Sequence, residues 1–548
     1  MIPAPPHDIL KVYMWREHTG SRGVAHLPDK FREQCPNLTQ VIKRHHVHRG
    51  WSIPWAVADR VASSISRLRM RFSYWDRDLT YPPFLVKVYG NPKVWTKNER
   101  ERLWENLINL YLVNGETPKT HVRANEMLKE YPQDSRFPLV SLATHHWVTW
   151  ILYKRLKGQL PEAVYVVRLS IPEPSFHRLK EKREFFQKRR AFLMGLSMRL
   201  RELDPLKIGD DLYVLLSSKK DVDNVVKEVA DSGIPCDLDV YAYFLEEVFE
   251  VEGLRLQRPQ IRVKDYVVNF LSVGVGEDWT FYPGEKVEWI KYLEFPYVAW
   301  ISLKPLKNLH ESAEEFLKWA EENVLSKAVF KKPEKVPLTS EVPSSPELLI
   351  SVAQGYEDFL DEFIKEINYR VRPENLTIVR SFARSLFIYG LRNPSGAVNL
   401  YLRLSRKVRE LHIPVFLSVV VADPEHPFWH VLSLFDQANL TFVTGGGVLS
   451  LSDELVENIR TVIPVVKGMS RRSFYRVLRA VKKTSKEELK LLIEGLAADG
   501  KFGKKGSTIS SKLCWLIDDI ARRCSTEEER KNLTHKTFRL LAFFTRKE

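Results

Sequence analysis

The spacing of apolar positions divides the chain into a helical beginning, a mixed middle and a helical end. Near the N-terminus, apolar residues recur at helical intervals, which predicts helices over Lys97–Val113, His121–Tyr131 and Pro138–Leu156. A β-type run, AVYVVRLSI, then starts at Ala163. From about Lys467 the chain is again helical, and it is basic. These patterns predict an α+β multidomain protein.

The middle of the chain has the same order of elements twice. The first copy is a strand from Ala163, a helix over Phe176–Leu203, the hairpin-like LKIGDDLYVLLSS, a helix over Val222–Asp231 and another strand. The second copy begins with the strand YVAWISL after Pro296. It continues through a helical region that the Pro/Ser-rich stretch 332–346 interrupts, and it ends in IPVFLSVVVA. Strand–helix–strand–strand–helix–strand is the ferredoxin-like order, so we predict two related α/β domains.

The length of 548 residues is too great for a single hydrophobic core. We place four domains along the chain: a helical domain over 1–150, two ferredoxin-like domains over 151–290 and 291–466, and a basic helical domain over 467–548.

Composition narrows the class of protein. Hydrophobic residues make up 44% and charged residues 28%, which is typical of a globular protein. No apolar run is long enough to span a bilayer, and no export signal opens the chain, so we expect no membrane partner and a cytoplasmic location. Four scattered cysteines without a CxxC pair argue against a structural zinc site and against a disulfide framework.

A formal net charge of +15 favours a polyanionic partner, with nucleic acid as the first candidate. His48 lies between Arg44 and Arg49, where a phosphate or solvent contact fits it better than a ligand role. We predict that Arg44 and Arg49 form a basic edge that contacts nucleic acid. Near the C-terminus, cations are concentrated in two short segments, which we predict to bind a nucleic-acid backbone, with a solvated surface as the alternative. These residues are Arg471, Arg472, Arg476, Arg479, Lys482, Lys483, Lys504 and Lys505.

Imidazoles and carboxylates are concentrated at the beginning of the chain. His7 and Asp8 are adjacent, His26 follows alone, and His45 and His46 precede a helix of small residues that carries Asp59. A carboxylate in a tightly packed helix needs a partner, and imidazole with carboxylate is a donor set for transition metals. We therefore predict a metal centre here, with structural or surface histidines as the alternative.

A second pair, His145 and His146, lies in the apolar helix PLVSLATHHWVTWILY. Here we expect core histidines with satisfied hydrogen bonds. If this helix lies against the centre, however, it could contribute a ligand.

Together these motifs resemble the large subunit of type III CRISPR effector complexes. That family joins an HD nuclease domain, two polymerase/cyclase-like palm domains and a helical C-terminal domain. The segment His7–Lys11 is similar to the family's HD-x-x-K opening, Ala58–Arg60 to its A-D segment, and Ile413–Trp429 to the late strand of its second palm.

The resemblance implies a helical HD domain, two ferredoxin-like palm domains and a metal-dependent nuclease that cleaves single-stranded DNA. His7, Asp8 and Asp59 would be the catalytic inner ligands of a divalent metal ion (Mn, Mg, Ni or Co). A second ion would be held by His26, His45 and His46. The implied partners are other CRISPR effector subunits, crRNA, target RNA and single-stranded DNA.

The resemblance also implies that cyclase activity is lost. Active members hold two metal ions with a Gly-Gly-Asp-Asp turn in the second palm and an aspartate at the end of its first strand, and they make cyclic oligoadenylate from ATP. We place the strand end at Ser302-Leu303-Lys304 and the turn at Tyr389-Gly390-Leu391-Arg392-Asn393. Lys304 and Arg392 would repel metal ions.

The first palm carries a similar motif, Gly209-Asp210-Asp211. Its first strand ends in Arg168-Leu169-Ser170, which offers no partner carboxylate. We therefore predict an ordinary hairpin turn, where Gly and Asp are favoured.

Three other functions remain open at this stage. The first is a purely structural subunit in which both centres are inactive. The second is the large subunit of a type I-D complex, which only its partner proteins would distinguish. The third is a free-standing HD phosphohydrolase, which would need neither the palm-like domains nor the basic C-terminal region.

Overall fold

The computed structural model describes most of the chain. The described residues are 3–13, 23–44, 54–67, 83–133, 138–172, 182–251, 254–273, 295–325, 345–367, 377–444, 447–467 and 469–544. Helices and two multi-stranded sheets alternate as predicted, which confirms the α+β class. None of the helices within these ranges is long and apolar enough to cross a membrane.

Where the structure describes it, the N-terminal part is helical apart from one small hairpin, β1 (Phe84–Leu85) and β2 (Lys93–Val94). Its helices are α1 (Leu10–Tyr13), α2 (Asp29–Gln34), α3 (Pro36–Arg44), α4 (Pro54–Arg67), α5 (Lys97–Asn114), α6 (Pro118–Leu128) and α7 (Leu142–Leu156).

Capping side chains decide where three of the predicted helices begin. Thr96 forms a capping box with Glu99, which starts α5 where the sequence predicted it. The next helix starts earlier than predicted, because Thr117 caps it and Pro118 occupies its first turn. Helix α7 starts later than predicted, at Leu142, because Ser141 caps it.

The first large sheet has five antiparallel strands in the order β4-β5-β3-β6-β7. The predicted Phe176–Leu203 helix is α8 followed by a 3-10 turn, and residues 173–181 lie outside the described ranges. The elements are β3 (Ala163–Ser170), α8 (Lys182–Arg199), β4 (Leu206–Ile208), β5 (Asp211–Leu216), α9 (Lys219–Asp231), β6 (Cys236–Val251) and β7 (Leu254–Val273).

The second large sheet has six strands in the order β13-β12-β11-β8-β10-β9. Most of the predicted linker 332–346 lies outside the described ranges. The elements are β8 (Tyr297–Pro305), α10 (Leu309–Ala320), α11 (Pro346–Ile367), β9 (Thr377–Arg380), β10 (Ser385–Leu391), α12 (Gly396–Val408), β11 (Val415–Ala422), α13 (Phe428–Leu434), β12 (Leu440–Thr444) and β13 (Gly447–Leu451).

The two sheets share one topology. In each, the first four strands lie side by side in the order second, third, first, fourth: β4-β5-β3-β6 in one sheet and β9-β10-β8-β11 in the other. The repeated strand–helix–strand–strand–helix–strand order that the sequence predicted is therefore present in both sheets.

The C-terminal part is helical, as predicted. It consists of α14 (Asp453–Val466), α15 (Arg471–Ala480), α16 (Lys486–Ala498), α17 (Gly506–Arg523) and α18 (Glu527–Phe544).

The largest buried hydrophobic cluster runs from Ala4 to Phe544 and includes residues of all four predicted domains. Helix α11 is one reason for this continuity. It packs against α10 and α12 near the second sheet and also against α4 and α7 of the N-terminal part. The four domain boundaries remain predictions. The four predicted domains pack against one another through shared buried apolar side chains. Through this packing, α11 brings Glu347 to His145 in α7.

Candidate metal centre

Three parts of the N-terminal region bring four metal-ligating side chains together. His7 and Asp8 lie in the turn before α1, Asp59 lies in α4, and His145 lies in α7. Each offers one ligand atom, and these atoms lie within 4.8 Å of one another. All four residues are buried.

Small residues allow this convergence. Ala58, Ala62 and Ser63 are buried along α4, which packs closely on α7. A bulkier residue at these buried positions would disturb the packing around α4, the helix that carries Asp59.

The ligand atoms point at one another. Nε2 of His145 lies 3.1 Å from Oδ1 of Asp59 and 3.4 Å from Oδ2 of Asp8. Nε2 of His7 lies 3.2 Å from Nε2 of His145 and 3.5 Å from Oδ1 of Asp59. Two imidazole nitrogens and two carboxylate oxygens are a donor set that suits a divalent transition metal.

The charges in this cluster are strongly coupled. Burial alone would raise the pKa of Asp59, but hydrogen bonds from His145 and His7 hold that pKa well below its usual range. Burial would likewise lower the pKa of His145, yet the charge of Glu347 and hydrogen bonds to Asp59 and Asp8 raise it well above the usual value. The buried carboxylates of this cluster therefore stabilise a positive charge between them, either a protonated His145 or a metal ion.

His146 holds the main chain of Asp8. Its Nε2 accepts the backbone N–H of Asp8 at 3.2 Å, and its Nδ1 donates to Oδ1 of Asn125 at 2.9 Å. Burial, together with the neighbouring His7 and His145, keeps the pKa of His146 well below the usual value, so this ring is neutral. Lys11 forms an ion pair with the carboxylate of Asp8.

An aromatic group covers one side of the cluster. The ring of Trp55 is stacked on Tyr153 at 4.2 Å and on Trp150 at 5.6 Å, and it lies 5.7 Å from His7. Trp55 is buried, so this side of the cluster is closed to bulk water.

The structure differs from the predicted ligand set. His26 lies in a short 3-10 helix, is exposed, and places its ring 5.6 Å from that of Tyr13 rather than in the cluster. His45, His46, His48 and Arg49 lie outside the described residues.

His145 is buried and hydrogen-bonded, as expected of a core histidine, but its helix does lie against the centre and supplies a potential ligand. Sequence reasoning missed Glu347, whose Oε1 lies 2.9 Å from Nδ1 of His145.

No protein-family model matches the chain, and no curated protein sequence is significantly similar to it. Solved structures do match over the whole length. Csm1 from T. onnurineus superposes with a TM-score of 0.60 at 10% identity, covering 100% of this chain and 99% of that one. The chain has the Csm1 fold.

Two structures of a Csm1–Csm4 cassette agree with this match. The cassette in complex with cA4 gives a TM-score of 0.54 at 11% identity and covers 99% of both chains. The apo cassette gives 0.53 at 10% identity and covers 98% of both. The resemblance to the large subunit of type III CRISPR complexes is thereby confirmed for the fold.

Within the Csm1 fold, the predicted degenerate cyclase positions lie at opposite ends of one sheet. Ser302 and Lys304 are at the end of β8, whose antiparallel neighbour β10 pairs Ser385 with Leu303 and Leu391 with Tyr297. The prediction that Tyr389–Asn393 forms a turn beside Ser302 and Lys304 is therefore wrong. Gly390 and Leu391 lie within β10, and Arg392 and Asn393 follow it at the far end.

The turn that does reach the end of β8 is the β9–β10 connection, residues 381–384. Arg384 and Lys304 both bind the carboxylate of Asp436 there, at 2.8 and 3.1 Å. Burial would raise the pKa of Asp436, but Arg384 and Lys304 together lower it.

Within the described residues, the only group of three or more potential metal ligands is the cluster of His7, Asp8, Asp59 and His145.

Gly209-Asp210-Asp211 forms the β4–β5 hairpin turn, as predicted, with Gly209 at a φ of +60°. Its carboxylates bind the hairpin of the other sheet. Oδ2 of Asp210 accepts the backbone N–H of Arg380 at 2.8 Å, and Asp211 accepts the hydroxyl of Ser381 at 2.8 Å. The motif therefore joins the two sheets.

The predicted basic residues lie mostly at the surface. Arg44 ends α3 and is exposed, Arg471 begins α15, and Lys504 lies in a short 3-10 helix. Residues four and three apart share a helix face, so Arg472, Arg476 and Arg479 form one exposed row on α15. Further exposed cations in this region are Lys482, Lys483 and Lys505.

Proposed function

We propose that this protein is the large subunit of a type III CRISPR effector complex and cleaves single-stranded DNA with a divalent metal ion. The observation that carries the nuclease proposal is the buried cluster of His7, Asp8, Asp59 and His145, whose ligand atoms lie within 4.8 Å of one another. Full-length similarity to Csm1 supports the role in an effector complex.

The donor atoms fit a metal ion. His7 and His145 would each bind through Nε2, and Asp8 and Asp59 would each bind through a carboxylate oxygen. When bound, a divalent ion (Mn, Mg, Ni or Co) supplies water of lowered pKa and offsets charge on the phosphodiester.

The surrounding residues hold this donor set in place. Lys11 orients the carboxylate of Asp8, and His146 fixes its backbone. The exposed position of His26 favours His145 as the second imidazole of this centre. A second ion bound by His45 and His46 remains a proposal.

Nucleic acid would be held by charge rather than by base contacts. The row of Arg472, Arg476 and Arg479 can bind phosphates without sequence preference. Specificity would come from crRNA pairing with target RNA, as in other RNA-guided systems. Known structures pair Csm1 with Csm4, and we propose a corresponding subunit as a partner here.

We further propose that the chain makes no cyclic oligoadenylate. At the end of β8, Lys304 and Arg384 converge on the single carboxylate of Asp436. A two-metal centre needs several carboxylates around ions that are about 4 Å apart, and two cations at that position oppose metal binding.

Cleavage of labelled single-stranded DNA tests the nuclease proposal. The purified protein is incubated with Mn²⁺, Mg²⁺ or EDTA, and wild type is compared with the double variant His7→Ala/Asp8→Ala. Cleavage that requires metal and disappears in the folded double variant is the expected result. If neither the protein alone nor the assembled complex cuts with any metal, the chain is a purely structural subunit.

The partners that co-purify with the protein from its own cells would separate a type III complex from a type I-D complex.

A further inference from the structure

Glu347 reaches the metal centre from a distant part of the chain. It lies in the first turn of α11, and its side chain is 1% exposed. Its Oε1 lies 2.9 Å from Nδ1 of His145, whose side chain is fully buried. Ser345 fixes the start of this helix by accepting the backbone N–H of Leu348 at 3.1 Å. The carboxylate is thus held against the ring from the side opposite Asp59.

This contact determines which nitrogen of His145 keeps its proton when the other binds a metal ion. A carboxylate oxygen can only accept a hydrogen bond, so Nδ1 must donate to Glu347. Without a metal ion, Nε2 also carries a proton and donates it to Asp59. A bound metal ion would displace that proton, and Nε2 would then offer its lone pair on the side of Asp8, Asp59 and His7. The amide of Gln133 lies 3.0 Å from the same Nδ1, and its orientation can follow the proton.

We infer that Glu347 is a positioning residue for the metal centre. It holds the ring of His145 in the orientation and tautomer that bind a metal ion through Nε2, and its charge makes that nitrogen a better donor. This inference rests on the proposed metal-dependent function. Because α11 also packs on α10, α12 and β9, the geometry of the centre depends on the region of the second sheet.

Removing the charge of Glu347 while keeping its size distinguishes a positioning role from a purely structural one. A glutamine would fill the same space, and its amide oxygen could accept the same hydrogen bond. A merely structural contact would therefore tolerate Glu347→Gln. A positioning carboxylate would not, since the charge that strengthens the imidazole ligand is removed while the packing is kept.

Mn²⁺ binding to the full-length, metal-free protein tests the inference by isothermal titration calorimetry. We expect Glu347→Gln to weaken binding about 10- to 100-fold. Its circular dichroism spectrum should remain that of wild type. The matched control is Glu362→Gln on the same helix, where the side chain is 39% exposed and pairs with Lys365, and this variant should bind Mn²⁺ like wild type.

A double variant adds a second test. If Glu347 acts through His145, then Glu347→Gln should have little further effect on Mn²⁺ affinity in a His145→Ala background. Equal fold-losses in both backgrounds would overturn the inference. If Glu347→Gln does not fold, Glu347→Asp keeps the charge but shortens its reach, and we expect weakened binding; affinity equal to wild type would overturn the inference.

The two proposals fail in different ways. Wild-type affinity in folded Glu347→Gln would show that Glu347 does not position the ligand, while the metal centre itself would stand. If wild type bound no Mn²⁺, or bound it no better than His7→Ala/Asp8→Ala, the metal centre would be wrong and the inference would fall with it.

Discussion

The carboxylate of Asp211 in the first sheet accepts the backbone N–H of Phe382 in the second at 2.8 Å. The same carboxylate accepts from Ser381 and pairs with Arg168, whose Nε lies 3.2 Å away. Arg168 is buried and also pairs with Asp239. One aspartate therefore ties the hairpin turns of both sheets to a buried guanidinium.

Replacing Asp211 by alanine should destabilise the protein strongly. The change leaves Arg168 with one acidic partner and leaves the amide of Phe382 without its acceptor, and breaking a buried ion pair costs about 3–5 kcal/mol. We expect a lower urea midpoint for the transition that separates the sheets. The control is Asp223→Ala, an exposed position on α9, which should shift the midpoint little.

His145→Ala should abolish metal-dependent cleavage of single-stranded DNA, because it removes a nitrogen that lies 3.1 Å from Asp59. The measurement is the rate of DNA cleavage with metal, after subtraction of the rate in EDTA. His26→Ala is the matched variant, since His26 was a predicted ligand that lies exposed beside Tyr13. We expect His26→Ala to retain most of the activity. If His26→Ala lost activity and His145→Ala kept it, the original prediction of His26 as a metal ligand would be favoured instead.

Gly390→Ala should destabilise the fold by about 1–3 kcal/mol through overpacking. A Cβ at this position would lie 2.3 Å from the ring of Phe295, so strand or ring must move. The contrasting variant is Gly495→Ala in α16, where a Cβ meets nothing within 4 Å.

Alanine in an exposed helix is favoured over glycine by about 0.5–1 kcal/mol, so Gly495→Ala should stabilise. Thermal unfolding of both variants measures these changes: the Tm of Gly390→Ala should fall below that of wild type, and the Tm of Gly495→Ala should rise above it. Equal stability of Gly390→Ala and wild type would contradict the packing argument.

Glu357 should make stability depend on pH near neutrality. Burial opposes its ionisation more than Arg380 favours it, and with the charges of Asp361 and Asp210 this raises its pKa to about 7. The folded protein therefore binds an extra proton between the usual pKa of 4.5 and about 7. The stability this proton contributes is complete below that window and is lost as the pH rises through it.

The difference in unfolding free energy between wild type and Glu357→Gln should therefore fall by about 2.5 kcal/mol from pH 5 to pH 8. Urea titrations across this range measure it. Glu366→Gln, an exposed position on α11, serves as the control and should show no such slope. A constant difference between wild type and Glu357→Gln would refute the raised pKa.

Binding to single-stranded nucleic acid should weaken when Arg472, Arg476 and Arg479 are replaced by alanine. Each lost phosphate contact should reduce the slope of log affinity against log salt by about 0.7. Fluorescence anisotropy at several salt concentrations measures both effects. Arg460→Ala on α14, where the arginine pairs with Glu457, is the control and should leave the slope unchanged.

Much of the fold was predictable because local patterns specify it. The apolar, β-branched run AVYVVRLSI predicted β3, and helical spacing from Lys97 predicted α5 within one residue. The repeated order of strands and helices was also visible. What periodicity does not specify is register, and register decides which residues lie together at the end of a sheet. Gly390 therefore looked like a turn residue, although it lies within β10.

The candidate site was predictable only in part, for a similar reason. His7, Asp8 and Asp59 were recognisable by their residue types and order, and the structure brings all three into one cluster. His145 lies in a helix with no polar face, so its sequence context pointed to the core. Glu347 is 202 residues further along the chain, and only the packing of α11 on α7 brings it to His145.

That separation has a consequence during translation. Polypeptides are made at about 5–20 residues per second, so a gap of 202 residues leaves His145 outside the ribosome for roughly 10–40 seconds before Glu347 emerges. Throughout this interval the nascent chain holds the imidazole without the carboxylate that orients it. A chain whose synthesis ends before Glu347 therefore yields a fragment in which this contact can never form.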